Sequence, residues 1–209
     1  LLRLLMRERY LCSRELAPAE ERDDGLPGRA VAFGIGEDLS IMVNEEDHLR
    51  LSAISPGFDL RTAHARVCEL DRKLEEQLSF AYQSDLGYLT GCPTNVGTGM
   101  RASVMLHLPA LGLVPSELDK VIRAAQRTGL AVRGMYGEGS RAVGDFYQIS
   151  NQVTLGRTEE QLVEDLSNLI PSIADFERRV RAELHSSRAE EISAKVDGAF
   201  ELLATTRSV

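Results

Sequence analysis

Four short stretches of this chain concentrate the side chains that polar chemistry uses. Asn44-Glu45-Glu46-Asp47-His48-Leu49-Arg50 sets three carboxylates beside an arginine. Gly91-Cys92-Pro93-Thr94-Asn95-Val96-Gly97-Thr98-Gly99-Met100-Arg101 is a glycine-rich run with an embedded thiol and an arginine at its end. Arg133-Gly134-Met135-Tyr136-Gly137-Glu138-Gly139-Ser140 spaces an arginine and a glutamate with glycines, and Ile149-Ser150-Asn151-Gln152 adds a polar strand end.

The carboxylates of the first stretch suit a cation. A guanidinium is a planar fork that a carboxylate grips with two parallel hydrogen bonds, so this stretch would select an arginine-like group. Its bland reading is an acidic turn in water. In the second stretch, glycine and threonine let backbone N–H groups approach an anion, although the Gly-Lys-Ser/Thr ending of a P-loop is missing. Cys92 taken alone reads as a small buried hydrophobe before it reads as a reactive thiol. The third stretch offers the glycines of a mobile lid, or a plain hairpin whose Arg133 and Glu138 lie in water.

The division of charge decides between these readings. Arg50, Arg101 and Arg133 are expected on three separate strands, with Glu46 and Glu138 on two loops. Three arginines match phosphoryl transfer, whose catalysis is mostly positioning and positive charge around a polyphosphate. Two glutamates match a guanidinium acceptor, which must be aligned and must lose a proton as the new bond forms.

Such groups need a rigid scaffold, and the periodicity predicts one. Residues 1–16 read as a helix whose Leu and Met positions share a face with Tyr10, ended by a charged loop from Pro18 to Gly28. Ala30 to Ile35, Leu39 to Asn44 and Leu49 to Ile54 read as a meander of three strands. Asp59 to Tyr82 has the apolar spacing of a long helix lying on a sheet. Tyr88 to Cys92 reads as a strand feeding the glycine-rich loop, and Ala102 to Leu108 as another. Ser116 to Thr128 is expected to be a helix with Ser116 as N-cap and Gly129 at its end. Leu130 to Met135 and Asp145 to Val153 are expected strands around the loop Gly137 to Gly144. Thr158 opens a last long helix to about Leu184, with a weaker helix after it. Strands joined by turns, with helices to one side, indicate an α+β fold with a mainly antiparallel sheet.

Composition excludes several classes of function. The chain has 209 residues, 24 Lys plus Arg against 32 Asp plus Glu, and a formal net charge of -8. An acidic surface cannot coat a nucleic-acid backbone, and with no Trp there is little to stack on single strands. No apolar run is long enough to span a bilayer, so no membrane role and a cytoplasmic location are expected. Cys12, Cys68 and Cys92 form an odd set without metal-ligand spacing and are expected to be free thiols in a reducing compartment. His48, His64, His107 and His185 share no spacing, so no metal site is expected. Met100, Met105 and Met135 are expected to serve packing. The chain opens on Leu1 inside an amphipathic segment and is expected to be a piece of a longer protein.

The strings taken together carry a resemblance. Asn44 to Arg50, Cys92-Pro93-Thr94-Asn95-Val96-Gly97-Thr98, Arg101-Ala102-Ser103 and Arg133-Gly134 resemble the ATP:guanidino phosphotransferases, the family of arginine and creatine kinases. The Cys-Pro-Thr-Asn-x-Gly-Thr string is that family's signature. The resemblance runs from about residue 1 to about residue 185, which suggests a partial catalytic domain over 1–185 and a helical C-terminal segment over 186–209. Within the family the chain looks most like the bacterial protein arginine kinase branch. Gly99, Met105 and the lid Tyr136-Gly137-Glu138-Gly139-Ser140 carry that leaning.

The resemblance implies an antiparallel, glutamine-synthetase-like sheet flanked by helices, and transfer of the ATP γ-phosphoryl group to arginine residues of proteins. It implies that Glu46 and Glu138 hold the guanidinium, with Glu46 as a base candidate, and that Cys92 tunes its surroundings. Arg50, Arg101 and Arg133 would contact the ATP phosphates, with Ala102, Ser103, Val104, Met105, Gly134, Met135, Tyr136, Gly137 and Glu138 alongside the nucleotide. Mg2+ would be held through phosphate oxygens and water, without a protein ligand. The implied partners are arginine-containing protein substrates, a heat-shock repressor, an activator protein and a Clp chaperone-protease, with a homodimer left open. The family's N-terminal Arg-x-Arg segment is expected to lie before Leu1, and the branch's C-terminal phosphoarginine-recognising region is expected to be absent, or diverged beyond recognition, in Val196 to Val209. Two other readings stand beside this one: a kinase of free arginine or a related guanidine, and a non-catalytic stress-response adaptor.

Overall fold

The computed structural model describes residues 10–13, 16, 28–134 and 143–205. They divide into two compact units, Leu1–Ala102 with Asn151–Ser167, and Ser103–Ser150 with Asn168–Val209.

The first unit is built on an antiparallel meander of β1 (Ala30–Phe33), β2 (Leu39–Val43) and β3 (Leu49–Ala53). Its register pairs Met42 with Arg50 and Val43 with Leu49, so the acidic stretch is the turn between β2 and β3. Helix α1 (Leu60–Glu75) packs against β3. Asp59 starts it by accepting a hydrogen bond from the Thr62 N–H at 3.1 Å, which satisfies one of the free donors of the first turn. Arg66 ties the helix to Asp38 in the β1–β2 turn. A short hairpin of β4 (Tyr82–Gln83) and β5 (Gly87–Tyr88) follows, then a single 3-10 turn at Pro93–Asn95.

The second unit contains β6 (Ser103–His107), α2 (Pro109–Leu113), α3 (Pro115–Arg127), β7 (Leu130–Gly134) and nearly all of β8 (Phe146–Asn151). These strands lie in the order β6-β8-β7, with β6 and β8 antiparallel. Leu108, Leu111, Ala125, Leu130 and Ile149 are almost wholly buried and form its core. The long helix α4 (Glu159–Thr205) begins in the first unit and continues in the second. Its buried side chains in the second unit, Ile170, Ile173, Glu177, Val180 and Leu184, recur every three or four residues and make one stripe. Glu177 is the exception in that apolar row, and its carboxylate has a structural use. It accepts hydrogen bonds from the Ala110 and Leu111 N–H groups at 3.0 and 2.9 Å, which caps the start of α2, and pairs with Arg181 at 2.9 Å.

The α+β class, the β1–β3 meander and the antiparallel pairing follow the sequence reading. Several boundaries differ. Residues 10–13 are not helical, and Tyr10 has φ of 58°, so the helix expected over 1–16 does not include them. Helix α1 ends at Glu75 rather than running to Tyr82, which belongs to β4. The strand expected from Tyr88 to Cys92 is limited to Gly87–Tyr88, because the chain must already turn at Gly91. Ser116 is not the N-cap of α3; Val114 is, because Pro115 has no N–H and fits the first helical position. Helix α2 was not expected, since five residues leave no readable period. Helix α4 runs to Thr205, with non-helical angles at Arg188 marking where the expected second helix begins. The loop Gly137 to Gly144 lies outside the described residues except at its end.

Candidate functional site

The acidic turn folds back on itself around one cation. Asn44 adopts φ of 52°, a conformation its short amide tolerates, and its N–H donates to the His48 carbonyl at 2.9 Å. Its side-chain amide donates to the Gly28 carbonyl at 2.7 Å. Arg50, near the start of β3, reaches back over this turn. Nη1 meets Glu45 at 2.7 Å, Nε meets Asp47 at 3.1 Å, and Nη2 meets Glu46. All three edges of the guanidinium are thus on carboxylates. Burial by itself would lower the Arg50 pKa, but Glu45, Asp47 and Glu46 together outweigh it, so the net shift is upward and the charge is locked on. The carboxylates are not equivalent, because the Glu45 side chain is 2% exposed and that of Glu46 is 46% exposed. Glu46 is the outward face of the cluster.

The glycine-rich stretch is braced against this turn. Asp47 uses its second oxygen to accept the Gly91 N–H at 2.6 Å. A Cβ on Gly91 would stand 2.7 Å from the Glu46 carbonyl, so the approach requires glycine. Cys92 follows, half-buried, with Sγ 3.0 Å from the Thr94 hydroxyl and its carbonyl accepting from Thr90 at 2.7 Å. The 3-10 turn then brings Gly97 between two backbones. Gly97 exchanges hydrogen bonds with Tyr88 at 2.8 and 3.3 Å, and a Cβ there would lie 2.5 Å from the Thr154 carbonyl.

Two buried polar residues fasten the loop. The Thr154 hydroxyl lies 3.0 Å from the Thr94 carbonyl and 2.7 Å from that of Val96, sharing its proton between them. Asn151 accepts the Ala102 N–H at 2.8 Å and donates to the Met100 carbonyl at 3.1 Å. It thereby clamps both neighbours of Arg101. Arg101 lies just before β6 rather than on a strand, contrary to the sequence reading.

Glu46, Arg50, Cys92, Arg101 and Ala102 therefore all belong to the first unit, and the structure brings Glu46 and Arg50 into contact. Ser103, Val104, Met105, Arg133 and Gly134 belong to the second unit, on β6 and β7, where the Ser103 hydroxyl accepts from Gln148 at 3.0 Å. Met135, Tyr136, Gly137 and Glu138 lie outside the described residues. Sequence reasoning did not assign roles to Glu45, Asp47, Asn151 or Thr154. Asn151 stood in a stretch rich in polar side chains, but its partners lie about fifty residues away and left no local signal.

Comparison with known proteins identifies the family. The model of the ATP:guanido phosphotransferase C-terminal catalytic domain matches residues 4–180. The chain is similar to the protein-arginine kinase of Halothermothrix orenii, 46% identical over 196 residues, which cover 94% of this chain and 54% of that protein. It is also similar to the protein-arginine kinase of a Geobacillus species, 44% identical over 202 residues, covering 97% and 54%. Among solved structures it is similar to the duplicated taurocyamine kinase of Schistosoma mansoni, with a TM-score of 0.72 and 30% identity over 85% of this chain and 25% of that one. Lombricine kinase aligns with a TM-score of 0.69 and 27% identity, over 86% and 51%. The chain spans about half the length of the curated relatives it matches. With most of its residues inside the matched region and the signature loop braced against the acidic turn, the chain belongs to the ATP:guanido phosphotransferase family, through the C-terminal catalytic domain.

Proposed function

We propose that this chain is catalytic-domain sequence of a protein arginine kinase, which transfers the γ-phosphoryl group of ATP to the guanidinium of arginine residues in proteins. The observation that carries the reading is the acidic turn, which already grips one guanidinium, that of Arg50. The relatives named protein-arginine kinase favour a protein acceptor over a free guanidine.

Glu46, the exposed carboxylate, aligns the acceptor and takes the proton it loses as its nitrogen bonds to phosphorus and the bond from phosphorus to ADP breaks. Glu138 supplies a second carboxylate, and Cys92 tunes the acceptor's surroundings. Arg50, Arg101 and Arg133 neutralise the polyphosphate, with Ala102 to Met105 and Gly134 to Gly137 alongside the nucleotide. Arg50 and the acceptor are alternative partners of Glu46. Phosphate that draws Arg50 away frees Glu46, which couples nucleotide binding to acceptor binding.

Mg2+ is a hard ion that prefers oxygen, and it enters this reading on the ATP phosphates and water. Among the described residues the cluster of potential metal ligands is a mixed nitrogen, sulfur and oxygen set, which does not suit it. The same reading includes a catalytic domain over 1–185 with a helical segment over 186–209. It also includes a cytoplasmic stress-response setting with a heat-shock repressor, an activator protein and a Clp chaperone-protease as partners, and a homodimer as an open alternative. Among the described residues no helix is long and apolar enough to cross a membrane.

The test is incubation of the full-length protein with Mg-ATP and a protein substrate, followed by assay for acid-labile phosphate on arginine. Labelling that Glu46→Gln or Glu138→Ala abolishes supports the reading; no labelling, or labelling indifferent to both, overturns it. The likeness to taurocyamine and lombricine kinases favours a second reading, a kinase of a free guanidine. Turnover of free arginine without protein labelling would select that one.

A further inference from the structure

Helix α1 and the start of α4 hold a second polar cluster, distinct from the acidic turn and the glycine-rich loop. His64 and Cys68 are four residues apart on α1, so their side chains leave one face, the half-buried face that also carries Val67 and Asp71. Glu159 is the first residue of α4. Its Oε2 lies 2.9 Å from His64 Nε2 and 3.8 Å from Cys68 Sγ, and the three donor atoms lie within 4.8 Å of one another.

We propose that His64, Cys68 and Glu159 form a binding site for a divalent transition-metal ion, Zn2+ by the chemistry of its donors. Zn2+ binds imidazole nitrogen and carboxylate oxygen at about 2.0–2.2 Å and thiolate sulfur at about 2.3 Å, which sets donors around one ion roughly 3.3–3.8 Å apart. The observed separations reach that arrangement with shifts of about 1 Å or less. A histidine–glutamate ion pair accounts for one of these contacts; it does not require a thiol to converge on the same oxygen atom. One sulfur, one nitrogen and one oxygen select Zn2+ over Mg2+ or Ca2+, and three protein ligands leave a fourth position for water.

The surroundings favour a cation. Burial pushes the Asp71 carboxyl above its usual range, and the negative charges of Glu75 and Glu159 push it further. A bound ion would offset this crowding of negative charge. It would also join α1 to a residue 91 positions after Cys68 and five after Thr154, the side chain that fastens the Thr94 and Val96 carbonyls. The ion would thus tie α1 to the segment that carries Thr154.

The test is titration of the chelator-stripped chain with Co2+, then competition with Zn2+. The expected result is a sulfur-to-cobalt charge-transfer band with the strong ligand-field bands of a four-coordinate site, displaced by Zn2+. Cys68→Ser should lose the charge-transfer band, His64→Ala and Glu159→Gln should weaken affinity at least about tenfold, and Cys92→Ser should keep the spectrum. Zn2+ should raise the thermal midpoint of the wild-type chain and not that of His64→Ala. Absence of the band in the wild-type chain, its survival in Cys68→Ser, its loss in Cys92→Ser, or a wild-type midpoint indifferent to Zn2+ would each overturn the proposal. The wild-type titration decides the matter should a variant fail to fold.

Discussion

Glu45 and Glu46 carry the same carboxylate on adjacent residues, and their surroundings assign them different work. The buried Glu45 holds Arg50 from within, and its loss strands part of a guanidinium away from water. Glu45→Gln is expected to cost about 1–3 kcal/mol in urea denaturation. Glu46→Gln should leave stability nearly unchanged and lower kcat by about 10²–10⁴-fold if Glu46 is the proton acceptor. A second residue-level test falls on Gly97, whose φ of +115° and close approach to the Thr154 carbonyl leave no room for a methyl group. Gly97→Ala should destabilise by at least about 1–3 kcal/mol, measured by the same denaturation. The Glu46–Arg50 contact could be anticipated because both residues sit inside one local string whose chemistry can be read residue by residue. Asp47 bonding Gly91, and Thr154 bonding Val96, could not, because those pairs are 44 and 58 positions apart and only the fold brings them together.

At the scale of elements, strands and long helices announced themselves through their period, and short ones did not. The β1–β3 meander follows the alternation in the sequence closely, whereas α2 is too short for a period and is held by a group outside itself. That group is Glu177 of α4, buried against the first N–H donors of α2. Glu177→Ala leaves two buried donors without partners and should cost about 2–5 kcal/mol; Glu177→Gln, with one accepting oxygen, should cost less. Thermal denaturation of both variants checks the order. Where α1 faces β5, the Tyr88 phenol is held neutral by burial first and then by Asp71 and Glu75, with its pKa pushed up to about 12. A folded pKa above the unfolded value near 10 contributes stability that is full below pH 10 and lost as pH rises through about 12. An alkaline titration of tyrosine absorbance should therefore show a late component near pH 12, coincident with loss of structure and absent in Tyr88→Phe.

At the scale of the whole molecule, net charge and length were readable at once, and where the stability resides was not. The formal charge of -8 has a local counterpart at the acidic turn, where one arginine is enclosed by three carboxylates and the cluster keeps the global sign. Stability is as unevenly placed. The buried stripe of α4 ends at Leu184, and after the irregular Arg188 the side chains of Val196, Phe200, Leu202 and Leu203 are all more than 60% exposed. Ile192 and Val196 do no more than line a shallow depression with Leu113 and Leu184. A chain ending at Arg188 should thus lose little burial, its thermal midpoint falling by no more than a few degrees, about the effect of 1 kcal/mol in a domain of this size. A chain ending at Phe176 loses Val180 and Leu184, each contributing about 1.5–3 kcal/mol by burial, together with the Glu177 cap. That sum is comparable to the roughly 5–15 kcal/mol that keeps a domain folded, so the shorter chain should show no cooperative transition. Equal midpoints for the two truncations would mean that the second unit draws its stability from somewhere other than this stripe.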